Sequence, residues 1–288
     1  FTGEYDGGGY SINNLTIKRA STSHVGFFRE SKLATIKNLS LTNVNITGGF
    51  STGSLGGVLR KTIIDNCTAS GSVSGTEWVG GLVGYSHISG IVSNSYSTVS
   101  VSGSSRYVGG LVGFIYAGRI QNSYSTGSVE TTHSDRGGLV GTISSSYVID
   151  SFYDSQTSGQ SDSGKGTGKT TAEMKTLATF TNTATAGLST SWDFNNIWKV
   201  DTSGTINGGY PYLNNAPEDH FYESLVTLHN LDDDTDIKVD LTSSDTGEAT
   251  VSPATLTFTE DNWDTPKTVT VTGKDDTDRD RHQDYKIS

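Results

Sequence analysis

Gly80-Gly81-Leu82-Val83-Gly84, Gly109-Gly110-Leu111-Val112-Gly113 and Gly137-Gly138-Leu139-Val140-Gly141 are three near-copies of one phrase. A second phrase answers it, as Asn94-Ser95-Tyr96-Ser97-Thr98 and Asn122-Ser123-Tyr124-Ser125-Thr126. Aligning the second phrase gives an apolar column of Ile12, Ile36, Ile64, Val92, Ile120 and Val148, at steps of 24, 28, 28, 28 and 28 residues. Two positions on lies a polar column: Asn14, Asn38, Asn66, Asn94, Asn122 and then Asp150. Self-similarity at this period is the mark of a repeat architecture.

Each unit holds short β-type runs broken by Gly and Ser, with no helical spacing. A unit this small cannot bury an apolar face alone, so the units must stack. Stacked strands set equivalent side chains roughly 4.8 Å apart. Ile over Ile then forms a buried stripe, and Asn over Asn an amide ladder that serves buried turn groups. The glycines fit corners that need positive φ or close backbone approach. The pattern predicts an all-β chain: a β-solenoid (β-helix) of about six coils over residues 1–157. Tyr96, Tyr124 and Phe152 form an aromatic column in its last coils.

After residue 157 the period stops. Thr170-Thr171-Ala172-Glu173 matches a capping box and predicts one short helix. Trp192, Phe194, Ile197, Trp198, Tyr210, Pro211 and Tyr212 then crowd a stretch that is otherwise polar. The last coil of a solenoid exposes an unpaired edge and bare core, so residues 158–215 are expected to be its cap. From residue 216 the pattern becomes alternating strands with frequent turns, the signal of a small antiparallel β-sandwich, here short enough to be incomplete.

Charge divides at the same place. Residues 216–288 carry 18 acidic and 6 basic side chains, against 13 and 14 before them. No basic patch favours nucleic acid. No apolar stretch approaches the ~18 residues of a membrane span, so no membrane insertion is expected. The Gly-, Ser- and Thr-rich composition suits a secreted or cell-surface chain. Cys67 has no second cysteine to pair with and reads as a small core residue. The opening Phe1-Thr2-Gly3-Glu4-Tyr5-Asp6 already reads as strand and turn, as in a segment whose N-terminus lies further upstream.

The glycine phrase, the opening Phe1 to Ile12 and the closing Gly208-Gly209-Tyr210-Pro211-Tyr212-Leu213 resemble the GLUG repeat family over roughly residues 1–213. The second coil (Val25-Gly26-Phe27-Phe28) and the third (Gly56-Gly57-Val58-Leu59) are divergent. Ser243 to Phe258, with Trp263-Asp264-Thr265-Pro266 through Val271, resembles the Calx-β-like modules strung along bacterial surface proteins. These resemblances imply one segment of a very large adhesin-like protein.

The sequence offers residues for three kinds of site. Catalysis on a solenoid needs clustered carboxylates, and Asp65, Glu77, Glu130, Asp135, Asp150 and Asp154 share no register with a partner. His24, His87 and His133 fall in turns at unmatched positions, and Ser163 to Thr170 mimics a phosphate loop without its first glycine or leading strand. No catalytic residue is expected. Trp78 and Tyr107 precede two glycine phrases at matching positions, with Arg136 at the next, and form a candidate shelf for a surface glycan. Asp232, Asp233, Asp234 and Asp236, and likewise Asp275, Asp276, Asp278 and Asp280, pack carboxylates into two loops. Ca²⁺ takes six to eight such oxygens, so calcium is the expected cofactor there, against a solvated acidic face.

The sequence therefore predicts a non-catalytic scaffold or stalk with a glycan-binding surface. The alternatives are a subunit of an extracellular fibre, assembled by strand exchange between copies, and a polysaccharide-active enzyme. The expected partners are neighbouring modules of the same long chain, or copies of itself.

Overall fold

The computed structural model of the chain describes residues 1–201, 203–214, 224–226, 237–242, 249–259, 262, 265 and 267–273. Two compact units divide it, Phe1–Ala216 and Pro217–Ser288. The first is a right-through stack of parallel strands. Its clearest face is a five-stranded sheet of Phe28–Lys32, Gly56–Arg60, Val83–His87, Val112–Tyr116 and Val140–Ser144, one strand from each of five coils. A partial sixth coil adds Tyr147–Ile149 and Phe152–Asp154.

Identity at equivalent positions fixes the stacking. Ile36 pairs Ile64, Ile64 pairs Val92, Val92 pairs Ile120 and Ile120 pairs Val148. Further columns run Ile46, Val73, Val101 and Val129, and Val83, Val112 and Val140. Ile36, Ile64, Ile120, Leu82, Leu111 and Leu139 are all 0% exposed. Each buried side chain of this size stabilises the fold by about 1.5–3 kcal/mol. Cys67 lies over Leu39 in the same core, also 0% exposed.

The first coil departs from the expected alignment. Tyr5, not Ile12, pairs Ile36, while Ile12 pairs Leu41. The turn Asp6-Gly7-Gly8-Gly9 is the cause. Gly7 takes the corner beneath Asn38, donating its amide to the Lys37 carbonyl at 2.9 Å, and everything after it is displaced. Asp6 Oδ1 accepts from Gly8 N and from Asn38 Nδ2, both at 2.9 Å, tying this corner to the next coil.

The repeated glycines answer to space rather than to φ. Gly81, Gly110 and Gly138 are not in the left-handed region. A Cβ on Gly81 would lie 2.1 Å from Ser97 Oγ, and one on Gly110 would lie 2.2 Å from the Gly138 carbonyl oxygen and 2.8 Å from Ser125 Oγ. The two sequence phrases thus meet across the coil, the second glycine of one against the second serine of the other. Ser125 Oγ donates to the Gly138 carbonyl at 2.6 Å, which satisfies a polar group in an otherwise apolar interior.

Residues beyond the coils fold back onto the stack. Thr167–Lys169 adds a parallel strand to Phe152–Asp154. Three four-residue helices occur where one was expected: α1 (Ser155–Ser158), α2 (Thr171–Met174) and α3 (Ala178–Thr181). α2 carries the anticipated capping box between Thr170 and Glu173. Met174, Phe180, Leu188, Trp192, Trp198 and Leu213 join Tyr124 and Phe152 in a second core, outside the coils.

In the second unit, Ser224–Val226 and Ala249–Ser252 flank Lys267–Gly273, and Ile237–Asp240 pairs Thr255–Phe258, all antiparallel. Leu256, Phe258 and Val269 are buried together. Among the described residues no helix is long and apolar enough to cross a membrane.

Candidate functional site

Asn38, Asn66, Asn94, Asn122 and Asp150 stand in one file, one per coil, as the strand registers require. Asn14 does not join them. It belongs to a second corner, where its amide donates to the Thr42 carbonyl at 2.9 Å, a consequence of the displaced first coil. Every residue of the file has positive φ: 53°, 52°, 45°, 48° and 47° from Asn38 to Asp150. Asn and Asp are the non-glycine residues that tolerate this region, so the file is first a backbone device. Its side chains form a broken ladder. Asn66 Nδ2 donates to Asn38 Oδ1 at 3.4 Å and Asn94 Nδ2 to Asp65 Oδ1 at 2.9 Å, while the Oδ1 atoms of Asn66 and Asn94 are buried without a partner.

Trp78 and Tyr107 hold equivalent corners at φ 57° and 65°, each just before a paired strand, Val79 against Val108. The residue at that position in the next coil is Asp135. Arg136 pairs Val108 instead, one place further on. Outward-facing rings crowd this flank. Trp78 lies 4.1 Å from Phe50 and 4.5 Å from Tyr85 between ring centroids. Tyr85 stacks on Phe114 at 5.1 Å and 3°, and His87 on Tyr116 at 5.5 Å and 20°. Tyr107 is stacked on Phe114 at 5.6 Å, with the Arg106 guanidinium 5.0 Å over its ring. Trp78 meets Phe50 and Tyr85 at tilts of 50° and 49°, and both Trp78 and Tyr107 are half-buried among these rings. Arg60 Nη1 lies 3.0 Å from His87 Nδ1; burial, then the charge of Arg60, holds His87 below its ordinary value, as a neutral acceptor.

The glycine-to-serine crossing and the asparagine corner recur together in the two most regular coils, and these decide the comparison with known proteins. Residues 76–102 and 104–130 match the GLUG motif. Over 103 residues, 35% of the chain, the sequence is 37% identical to halomucin of Haloquadratum walsbyi (strain DSM 16790 / HBSQ001), and that stretch spans 1% of the relative's length. A crystal structure of a suspected immunoglobulin A1 protease from Bacteroides ovatus is similar in fold, with a TM-score of 0.55 at 19% identity. The similarity covers 73% of this chain and 76% of that one.

Where the last coils meet the cap, three side chains take roles that sequence alone did not assign to them. Lys165, in the stretch that mimics a phosphate loop, donates Nζ to the carbonyls of Arg136 at 2.5 Å and Gly141 at 2.9 Å. It thereby satisfies acceptors on the outer edge of the fifth coil, with Asp162 3.8 Å away; burial lowers its pKa. Asp150, the acid that ends the asparagine file, accepts from Ser189 N, from Ser189 Oγ at 2.9 Å and from Thr190 N at 3.2 Å. The change from amide to carboxylate was the available signal, since only the acid offers two acceptors to a covering loop. Asp154 is 0% exposed and accepts from Gln156 N, Thr157 N, Thr171 Oγ1 and Tyr210 Oη. Burial alone would raise its pKa, but these bonds outweigh it and hold the carboxyl below its ordinary range.

Asp232, Asp233, Asp234, Asp236, Asp275, Asp276, Asp278 and Asp280 lie outside the described residues. Among the described residues no group of three or more His, Cys, Asp or Glu is placed to hold a metal ion.

Proposed function

We propose that this chain is a non-catalytic segment of a very long cell-surface protein, in which the solenoid serves as a rigid spacer that holds and displays neighbouring modules. What carries the proposal is the halomucin match, where 103 residues amount to 1% of the relative. Two further features support it. The GLUG coils pair strand on strand with the coils before and after them, as in repeat arrays built from nearest-neighbour interfaces. The cap binds the last coils by side-chain carboxylates and a packed aromatic core, as a segment bearing load requires.

The test uses cells that make the full-length parent. Antibody against this chain should label intact cells, and protease applied outside should remove the label. Labelling only after permeabilisation overturns the proposal. The purified chain should also release no reducing ends from a panel of polysaccharides, and turnover on any of them would return the enzyme alternative.

We also propose that the acidic runs of the second unit, a Calx-β-like module by the resemblance of its sequence, take Ca²⁺. Carboxylates as closely spaced as Asp232–Asp236 and Asp275–Asp280 repel one another unless neutralised. Millimolar calcium should raise the melting temperature of the full chain and release heat on titration. Unchanged melting and a flat titration would count against calcium.

A further inference from the structure

One column on the outer surface changes character halfway along the stack. Ser11 pairs Ser40, Ser40 pairs Thr68, Thr68 pairs Tyr96, Tyr96 pairs Tyr124 and Tyr124 pairs Phe152. The aromatic half lies under the cap. The hydroxyl half does not, and the cap stops at its border with Ile206, Tyr212 and Leu213. A groove of about 310 Å³ forms at that step, at the lower limit of the volume range typical of ligand pockets. Its floor is Ser40, Thr68 and Thr98, its side wall Ile206 and Tyr212, and Tyr96 stands at its closed end.

Three properties define what fits. No residue lining the groove carries a formal charge, although the chain has 20 basic and 31 acidic side chains to draw on. The larger cleft of about 540 Å³ beside the first coil, by contrast, is lined by Lys18, Arg19 and Arg29. Next, Tyr96 stacks on Tyr124 with centroids 4.9 Å apart and planes at 4°. One face of Tyr96 is therefore spent on the coil above; Trp198 lies 6.1 Å from its ring at 42°, its side chain hydrogen-bonds that of Thr68, and the rest of the partly buried ring lines the groove. Finally, the floor repeats: Ser40 and Thr68 pair directly, so their hydroxyls recur at the strand spacing of roughly 4.8 Å along the stack. The wall is rigid as well, because Asn207 Nδ2 donates to Tyr124 Oη at 2.7 Å and to the Pro211 carbonyl at 2.8 Å.

We infer that this groove binds a neutral, linear polysaccharide lying along the stack axis, its hydroxyls on the Ser/Thr floor and one sugar ring against the part of Tyr96 that lines the groove. The ligand is a repeating chain because the floor repeats. It is uncharged because an acidic sugar would lose water here and gain no cation. This site is separate from the Trp78–Tyr107 flank, and its occupancy does not depend on the spacer role.

The test is affinity electrophoresis of the full chain through gels containing xylan, mannan or hydroxyethyl cellulose, with alginate as the anionic comparison. Tyr96→Ala would also disturb the core under the cap, so the informative variant is Thr68→Tyr, which continues the aromatic stack into the groove and fills it. Wild type should be retarded by at least one neutral polymer, insensitive to salt, and T68Y should bind at least tenfold more weakly with an unchanged or raised melting temperature. Ser40→Tyr, one coil further from the cap, repeats the test if T68Y does not fold. No retardation by any neutral polymer, retardation by alginate alone, or equal binding by the filled variant overturns the inference.

Discussion

Asn122 sits at φ 48°, between Asn94 in the coil below and Asp150 in the coil above. For most L residues the left-handed region costs roughly 1–2 kcal/mol, a cost that Gly escapes. If the corner is what matters, Asn122→Gly should leave the melting temperature nearly unchanged, while Asn122→Ala should lower it by about 2–4 °C, the shift of about 1 kcal/mol in a chain this long. Equal loss in both variants would restore the amide ladder as the governing interaction. Cys67 provides a second check. Burial pushes its thiol up to about 12, so the native chain at pH 8 should resist alkylation until denaturant exposes it. These columns were legible because the same residue recurs wherever the environment recurs. The first coil was not, because Ile12-Asn13-Asn14 copies the repeat in composition while a glycine turn moves it in space. For Trp78 and Tyr107 the neighbouring rings come from Phe50 before them and from the strands that follow. The alternation Tyr85, His87 and Phe114, Tyr116 marked those strands as aromatic on the outside, but ring orientation is a matter of packing, which spacing does not encode.

At the scale of elements, the cap is held by single carboxylates. Asp154 joins the last coil strand to α1, α2 and Tyr210. Its pKa is depressed below the ordinary 3.8, so its contribution is present above that value and drains away as pH falls through the lower, folded one. Thermal melts between pH 2 and 6 should show wild type losing stability below about pH 4, with Asp154→Asn less stable by about 2 kcal/mol at pH 7 and flatter across the acid range. A variant with the wild-type acid slope would assign that slope to other carboxylates. The capping box of α2 was readable from Thr170 and Glu173 because its bonds are local. The roles of Lys165, Asp150 and Asp154 join residues across 17 to 56 positions or more, and no local pattern announces them.

Taken whole, Phe1–Ala216 is a stack whose described coil strands pair only between successive coils, together with the covering that folds back over its flank. Repeat arrays of this kind gain stability from nearest-neighbour interfaces. Duplicating one 28-residue period that straddles the two GLUG motifs, for example residues 91–118, should therefore give a folded chain that melts no lower than the original. Scattering should show it longer by about one strand spacing, roughly 4.8 Å, at constant width. A molten or aggregated product would mean that distant coils are coupled. In the two regular coils the separation of the walls has a definite origin. Where Gly81 meets Ser97 and Gly110 meets Ser125, two of the smallest side chains set the distance between opposite walls. Selection can lengthen such a rod by copying, but it cannot thicken it without replacing every member of both rows at once.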